Sequence, residues 1–159
     1  MLWVKAFFFL LVLPGTVIVW LPWYFLHAGF PRFDPGPARW AGGAMAVVGI
    51  VAELWCVWDF AKIGRGTLAP VDPPKSVVRR GLYGYLRNPM YVAVVAAVAG
   101  EALFFGVWAM VIEAGILATM FGSFVVFYEE PELRKTFGAS YEEYCRDVPR
   151  WIPRFGRRG

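Results

Sequence analysis

The sequence predicts an all-α integral membrane protein of about four transmembrane helices, the last two folded into a tight hairpin and followed by a cytosolic helical tail. Three observations carry that reading. Of the 159 residues, 58% are hydrophobic and only 18% charged, whereas a soluble domain has about 45–50% apolar and about 25% charged residues. The apolar residues fall into long runs, and at about 20 residues per crossing four of them use up the chain, leaving no room for a separate soluble catalytic domain. The charges flank these runs rather than forming one basic face, so the net charge of +4 does not point to nucleic acid.

The first run, Leu2 to Leu26, begins like a signal peptide with Lys5, but it stays apolar well past a typical signal core and no small-residue cleavage pattern follows. It is expected to be a retained span. Pro14 and Pro22 interrupt it and predict one kinked helix rather than two short ones. A polar connection, His27 to Arg39, with Pro31, Pro35 and Pro37, leads to the second span, Trp40 to about Phe60. A long polar segment follows, Ala61 to Asn88, punctuated by Gly64, Gly66, Pro70, Pro73 and Pro74. Two further runs, about Pro89 to Phe105 and Val107 to Tyr128, meet around Gly106 and predict the hairpin. In the tail, Pro131 suits the first turn of a short helix and Gly138 its stop, and Ser140 with Glu143 reads as a capping box opening a second helix through Cys145. Tyr141, Tyr144, Trp151, Ile152 and Phe155 then give an aromatic, basic surface suited to the headgroup layer.

Orientation follows from the basic residues near span ends. Lys62, Arg65, Lys75, Arg79, Arg80 and Arg87 lie between spans two and three, and Arg134, Lys135, Arg146, Arg150, Arg154, Arg157 and Arg158 lie in the tail, against Arg32 and Arg39 in the first connection. Both termini and the middle segment are therefore expected in the cytosol, with a bacterial inner membrane as the location.

Several chemistries are excluded by what is missing. His27 is the only histidine and falls on the expected outer side, which argues against a His-based triad, a histidine metal cluster or a haem ligand. Cys56 and Cys145 form neither a paired framework nor a CxxC. Gly64-Arg65-Gly66-Thr67 lacks the following glycine and the strand-to-helix context of a nucleotide loop. Buried acids remain, since an ionisable group inside a span is a functional candidate by default. Glu53 lies well inside span two, either bonded across helices or forming the wall of a pocket. Glu101 and Glu113 flank Gly106 and share a depth on the outer side, with water or each other for company, and Asp59 belongs to the cytosolic rim.

The richest stretch is Gly81-Leu82-Tyr83-Gly84-Tyr85-Leu86-Arg87-Asn88-Pro89-Met90-Tyr91. Asn88 is a strong helix cap and Pro89 fits the first helical position. The same helix start also offers unpaired N–H groups and a positive dipole end, with Arg87 beside it and tyrosines as walls, which suits a ligand bearing a carboxylate and a flat base. Glu129-Glu130-Pro131 falls at the cytosolic end of span four, where two carboxylates oppose the helix dipole at a cost of roughly a few tenths of a kcal/mol or more. A hairpin brings these two places to one membrane face, so Arg87, Asn88 and Tyr91 are expected to face Glu129 and Glu130.

The order Gly66-Thr67, Pro73-Pro74-Lys75, Gly81-Leu82-Tyr83, Arg87-Asn88-Pro89-Met90-Tyr91, hairpin, Glu129-Glu130, Phe137-Gly138, Tyr141 with Tyr144, and Val148-Pro149 resembles the isoprenylcysteine carboxyl methyltransferase family and its phospholipid methyltransferase relatives, over about Lys62 to Phe155. The resemblance implies an integral-membrane methyltransferase using S-adenosylmethionine. The chain is then a single membrane domain, residues 2–60 forming the first two helices and residues 61–159 the methyltransferase-like core. It implies a cofactor wall of Lys75, Val77, Val78, Tyr83, Asn88, Pro89, Met90, Tyr91 and Glu130, with Arg87 and Glu129 nearer the methyl acceptor or bracing the site. One departure from the family pattern is that many members carry histidine where this chain has Asn88; asparagine hydrogen-bonds but does not titrate near neutrality, which speaks against a proton shuttle at that position.

Elementary chemistry agrees with that implication. Methyl transfer from a sulfonium needs no metal and no covalent enzyme intermediate, only in-line positioning in a dry pocket, and positioning can lower a barrier by about 7–11 kcal/mol. Glu130 suits the cofactor's amino group, and backbone N–H groups near Asn88 to Tyr91 suit its carboxylate. The acceptor is expected to be a lipidic or small apolar molecule bearing a carboxylate, thiol or amine, and for an amine Glu129 is the nearest candidate base. Membrane lipids are the expected partners, with no nucleic acid and no metal. The alternative is a non-catalytic four-span protein whose basic aromatic rim binds anionic lipid or a partner.

Overall fold

Proline placement explains much of the helix geometry. The computed structural model describes residues 14–63, 79 and 81–153. Residues Thr16–Trp20 form a wide π turn that runs into α1 (Leu21–His27), with Pro22 in its first turn. Pro22 has no N–H to offer the carbonyl one turn back, and the wider turn accommodates the missing bond. The chain thus stays helical across Pro22, as the sequence predicts; residues 1–13 of that span lie outside the described residues. Beyond it come α2 (Ala38–Ile63), a 3₁₀ turn (Gly81–Gly84), α3 (Pro89–Phe105) and α4 (Trp108–Phe124). The tail adds α5 (Glu130–Phe137) and α6 (Ala139–Asp147). Among the described residues the only extended pairing is an isolated bridge between Arg32 and Val107.

Two helical stretches, Ala38–Asp59 and Trp108–Phe137, are long and apolar enough to cross a membrane, with mean hydropathy 1.7 and 2.0. Thr16–His27 and Pro89–Phe105 are apolar but shorter; α3 has 17 residues and rises about 25 Å, less than the roughly 30 Å of a typical hydrocarbon core. The outward faces are greasy. Trp40, Val47, Val48, Val51, Leu54, Trp55 and Trp58 on α2, and Ile112, Ile116 and Met120 on α4, are all exposed. A contiguous apolar exterior of this kind is at home in lipid, and the tryptophans near both ends of α2 are placed as interfacial anchors.

α2 and α3 pack antiparallel along a seam of small residues: Gly42, Ala46 and Gly49 against Ala93, Ala97 and Gly100. A Cβ on Gly49 would stand 2.6 Å from the Ala97 nitrogen and 2.7 Å from the Ala93 carbonyl oxygen, so backbone meets backbone. That closeness maximises dispersion contact where apolar burial alone cannot drive helices together. A core cluster beside this seam is built from Val94, Ala97 and Val98 with Ile18, Ala114 and Leu117.

The hairpin forms as expected. Gly106 adopts a left-handed conformation, φ 66°, and its N–H bonds the Ala102 carbonyl at 2.9 Å. The first connection clasps this turn: the Phe33 N–H donates to the Gly106 carbonyl at 2.7 Å and the Trp108 N–H to the Pro31 carbonyl at 3.2 Å. A side chain on Gly106 would collide with the Phe33 carbonyl.

The structure corrects two expectations about the last third of the chain. The fourth helix does not stop near Tyr128; it passes through a π turn (Val125–Glu129) into α5. Glu129 and Glu130 are therefore inside a continuous helical run, and the argument from an opposed helix end does not apply. Pro131, which has no N–H for the Phe127 carbonyl, accounts for the wide turn just ahead of it. Nor does Ser140 cap α6. Gly138, at φ 51° and ψ −127°, breaks the chain two residues earlier than a Ser140 cap requires, so α6 starts at Ala139 and runs to Asp147 with no side-chain cap.

Candidate functional site

The end of the bundle opposite the Gly106 turn collects the start of α3, the π turn of α4 and the tail. The segment before α3 is shaped by the 3₁₀ turn, where Gly81 at φ 59° abuts the Asp59 carboxylate of α2. The Tyr85 and Leu86 N–H groups both return to the Leu82 carbonyl, and the Arg87 N–H reaches across to the Pro149 carbonyl at 2.9 Å. Asn88 occupies the cap position of α3 with Pro89 first in the helix, but its side chain makes no cap bond. Instead the Asn88 amide donates to the Arg150 carbonyl at 3.3 Å. The side chain thus serves the tail, and the first N–H groups of α3 have no side-chain cap.

Glu130 is the centre of the polar cluster. Its side chain is 3% exposed and receives three charge-assisted bonds: Arg87 Nη1 at 2.9 Å, Arg150 Nε at 2.8 Å and Arg150 Nη2 at 2.8 Å. The Arg150 pair is a two-pronged guanidinium–carboxylate contact, the most directional ion pair available. Arg87 Nη1 also donates to the Cys145 sulfur at 2.8 Å, while its buried Nε has no partner among the described residues. Beside it, the Tyr91 hydroxyl donates to Glu129 Oε2 at 2.9 Å, and the Tyr91 ring stacks on Phe121 of α4, centroids 4.7 Å apart. Tyr83 is buried below; its carbonyl accepts the Tyr144 hydroxyl at 2.7 Å. Burial, followed by the neighbouring charges of Cys56, Glu53 and Glu129, pushes the Tyr83 phenol well above its ordinary value. Burial likewise raises Tyr144, with Arg87 working against it. Both phenols stay neutral donors at physiological pH.

The tail is fastened over this cluster. Tyr141, Tyr144 and Val148 bury against Leu133 and Phe137, and Arg79 donates to the Ser140 carbonyl at 2.7 Å while its guanidinium lies over the Tyr144 ring.

Of the residues expected at the site, Arg87, Asn88, Tyr91, Glu129 and Glu130 come together, with Tyr83 and the buried Pro89 and Met90 alongside. Lys75, Val77 and Val78 lie outside the described residues. The pairing is Tyr91 with Glu129 and Arg87 with Glu130, so the carboxylate expected to face the cofactor's amino group is held by two guanidiniums. Arg150, Cys145 and Phe121 are additions that sequence reasoning missed. Arg150 sits beside the recognised Val148-Pro149, and a signal was present: a carboxylate as close to a span as Glu130 needs a cation, and the tail supplied several. Replacing Arg150 with methionine is expected to lower stability by about 1–2 kcal/mol, because a charge-assisted bond is lost at a side chain 35% exposed, where solvent screens part of it. Thermal unfolding in detergent and faster proteolysis between α6 and Pro153 check this.

These features define an all-helical membrane protein with a polar cluster at one end of a helical hairpin. The chain belongs to the phospholipid methyltransferase family, whose model matches residues 37–140, from the start of α2 to the start of α6. That family comprises membrane methyltransferases. Over 77 residues the chain is 32% identical to protein-S-isoprenylcysteine O-methyltransferase of Schizosaccharomyces pombe, an alignment covering 48% of this chain and 33% of that protein. The matched stretch thus spans a third of the length of this curated relative.

Proposed function

We propose that the chain is an S-adenosylmethionine-dependent methyltransferase that acts at the cytosolic membrane face on a lipidic or small apolar acceptor bearing a carboxylate, thiol or amine. One observation carries the reading: two parts of the family-matched stretch that are far apart in sequence, Arg87 to Tyr91 and Glu129 with Glu130, bond to each other at one end of the hairpin. A non-catalytic rim binding lipid through surface charge has no use for so buried an ion pair.

The donor set fits the cofactor's amino-acid end. The uncapped N–H groups at the start of α3 suit a carboxylate, and the Tyr91–Phe121 stack suits a flat base. Bound there, the cofactor supplies an electrophilic methyl on sulfur. Lys75, Val77, Val78, Tyr83, Asn88, Pro89, Met90 and Tyr91 form its wall in this reading. Glu130 acts by holding Arg87 and Arg150 in place, and Glu129 with Arg87 faces the acceptor. The buried aromatic surroundings exclude water, which strengthens each of these electrostatic contacts.

Calorimetric titration of the folded, detergent-solubilised protein with S-adenosylhomocysteine is expected to show saturable binding; its absence overturns the reading. Tyr91→Ala should weaken that binding about tenfold or more, since a stacked ring and a bond to a carboxylate are lost together. Glu113→Ala, near the opposite end of the bundle, should change it by less than about twofold. Transfer of a labelled methyl group into a host lipid and metabolite extract then identifies the acceptor.

A further inference from the structure

α2, which packs against α3 and the 3₁₀ turn, carries a group that none of these bonds uses. α2 runs antiparallel to α3 with Gly49 against Ala93 and Ala97, so the next turn of α2 brings Glu53 toward the start of α3, where Met90 and Tyr91 lie. Glu53 is 2% exposed, and neither oxygen of its carboxyl group has a hydrogen-bond partner among the described residues. Its carboxyl lies near the Tyr83 phenol, as does that of Glu129. Cys56, one turn further along α2, is fully buried.

A buried carboxyl with no partner is a standing cost, and an apolar side chain of the same size would pack at that position without it. On the tail side, Glu130 bonds the guanidiniums of both Arg87 and Arg150. On the α2 side the unanswered group is an acid, in surroundings where a compact positive charge would be its natural complement.

We propose that Glu53 is the counter-charge for a cationic centre bound in the site. The inference rests on the methyltransferase reading. The cation is a sulfonium or a protonated amine, carried by the cofactor in the first case and by the acceptor headgroup in the second. Glu129 is less suited to the task because Tyr91 already donates to it.

The test compares binding of matched cationic and neutral ligands to the full chain in detergent, measured by calorimetry. One arm pairs S-adenosylmethionine with S-adenosylhomocysteine, and the other pairs dodecylamine with dodecanol. In Glu53→Gln the preference for the cation should fall about tenfold in one arm, as expected for loss of a charge-assisted contact. Loss in the first arm assigns the sulfonium, and loss in the second the amine. S-adenosylhomocysteine itself should bind the variant as it binds the wild type. Glu53→Leu should lose the same preference and should unfold at or above the wild-type temperature, because an unpartnered buried carboxyl has been removed. Lower thermal stability in both variants would mark Glu53 as structural and overturn the proposal. Unchanged preferences in both arms with S-adenosylhomocysteine binding intact overturn this proposal alone, whereas a wild type that does not bind S-adenosylhomocysteine overturns the methyltransferase reading and this proposal with it.

Discussion

Glu130→Ala is expected to cost about 3–5 kcal/mol of stability, the range for breaking a buried ion pair from one side, and to abolish S-adenosylhomocysteine binding. The side chain of Arg87 is only 11% exposed, so removing its carboxylate strands a charge with Cys145 as its remaining side-chain partner. The two-pronged contact to Arg150 disappears at the same time, leaving the bonds of the Arg87 N–H to Pro149 and of the Asn88 amide to the Arg150 carbonyl to hold that segment. Glu130→Gln separates charge from shape: it keeps one acceptor oxygen for Arg150 but adds an N–H group facing guanidinium donors, so most of the loss should persist. A double-mutant cycle with Arg150→Met checks the assignment through thermal unfolding. A coupling well above about 0.5 kcal/mol marks the two residues as one unit, whereas additive losses would show that Glu130 acts elsewhere.

The second large effect is expected at the seam between α2 and α3. In Gly100→Leu the first added carbon would already lie 2.6 Å from the Gly42 carbonyl oxygen, and the rest of the side chain has only the Ala46 backbone before it. Backbone cannot turn aside as a side chain can, so the helices must separate. The cost should reach or exceed the roughly 1–3 kcal/mol typical of overpacking. Because α2 also carries Glu53 and the Asp59 contact to Gly81, the damage should spread to the site, lowering S-adenosylhomocysteine affinity along with the melting temperature. Gly115→Leu is the control: it meets nothing within 4 Å and should leave binding unchanged.

The amino-acid sequence made some of this legible and hid the rest for physical reasons. The start of α3 at Pro89 and the turn at Gly106 were readable because proline and glycine act locally. The seam was not, since small residues on two helices say nothing separately about which faces meet. Asn88 was read correctly as a cap position, yet its amide turns to the Arg150 carbonyl, a partner 62 residues away. The pairing of Arg87 with Glu130 rather than Glu129 depends on the π turn, which shifts the helix face by one residue just where both glutamates emerge. Regular helical spacing cannot anticipate that shift. Of the four expected crossings, those of α2 and α4 have the length and apolarity required, and the family match runs over residues 37–140, which include Arg87 and Glu130.

The clasp of Pro31 and Phe33 on Gly106 has a consequence for traffic. At that end the bundle is shut by main-chain bonds at 2.7 and 3.2 Å, and no headgroup can slip between the α3–α4 turn and the connection that covers it. Arg87, Tyr91, Glu129 and Glu130 are gathered at the other end. In the proposed reaction, an amphiphile with its chain among the lipid tails can present its head to Tyr91 and Glu129 only from the leaflet whose headgroups lie at that end. Its twin in the opposite leaflet faces the clasp, so the two halves of the bilayer are not equivalent substrates, and product should accumulate on one side until something else moves it across.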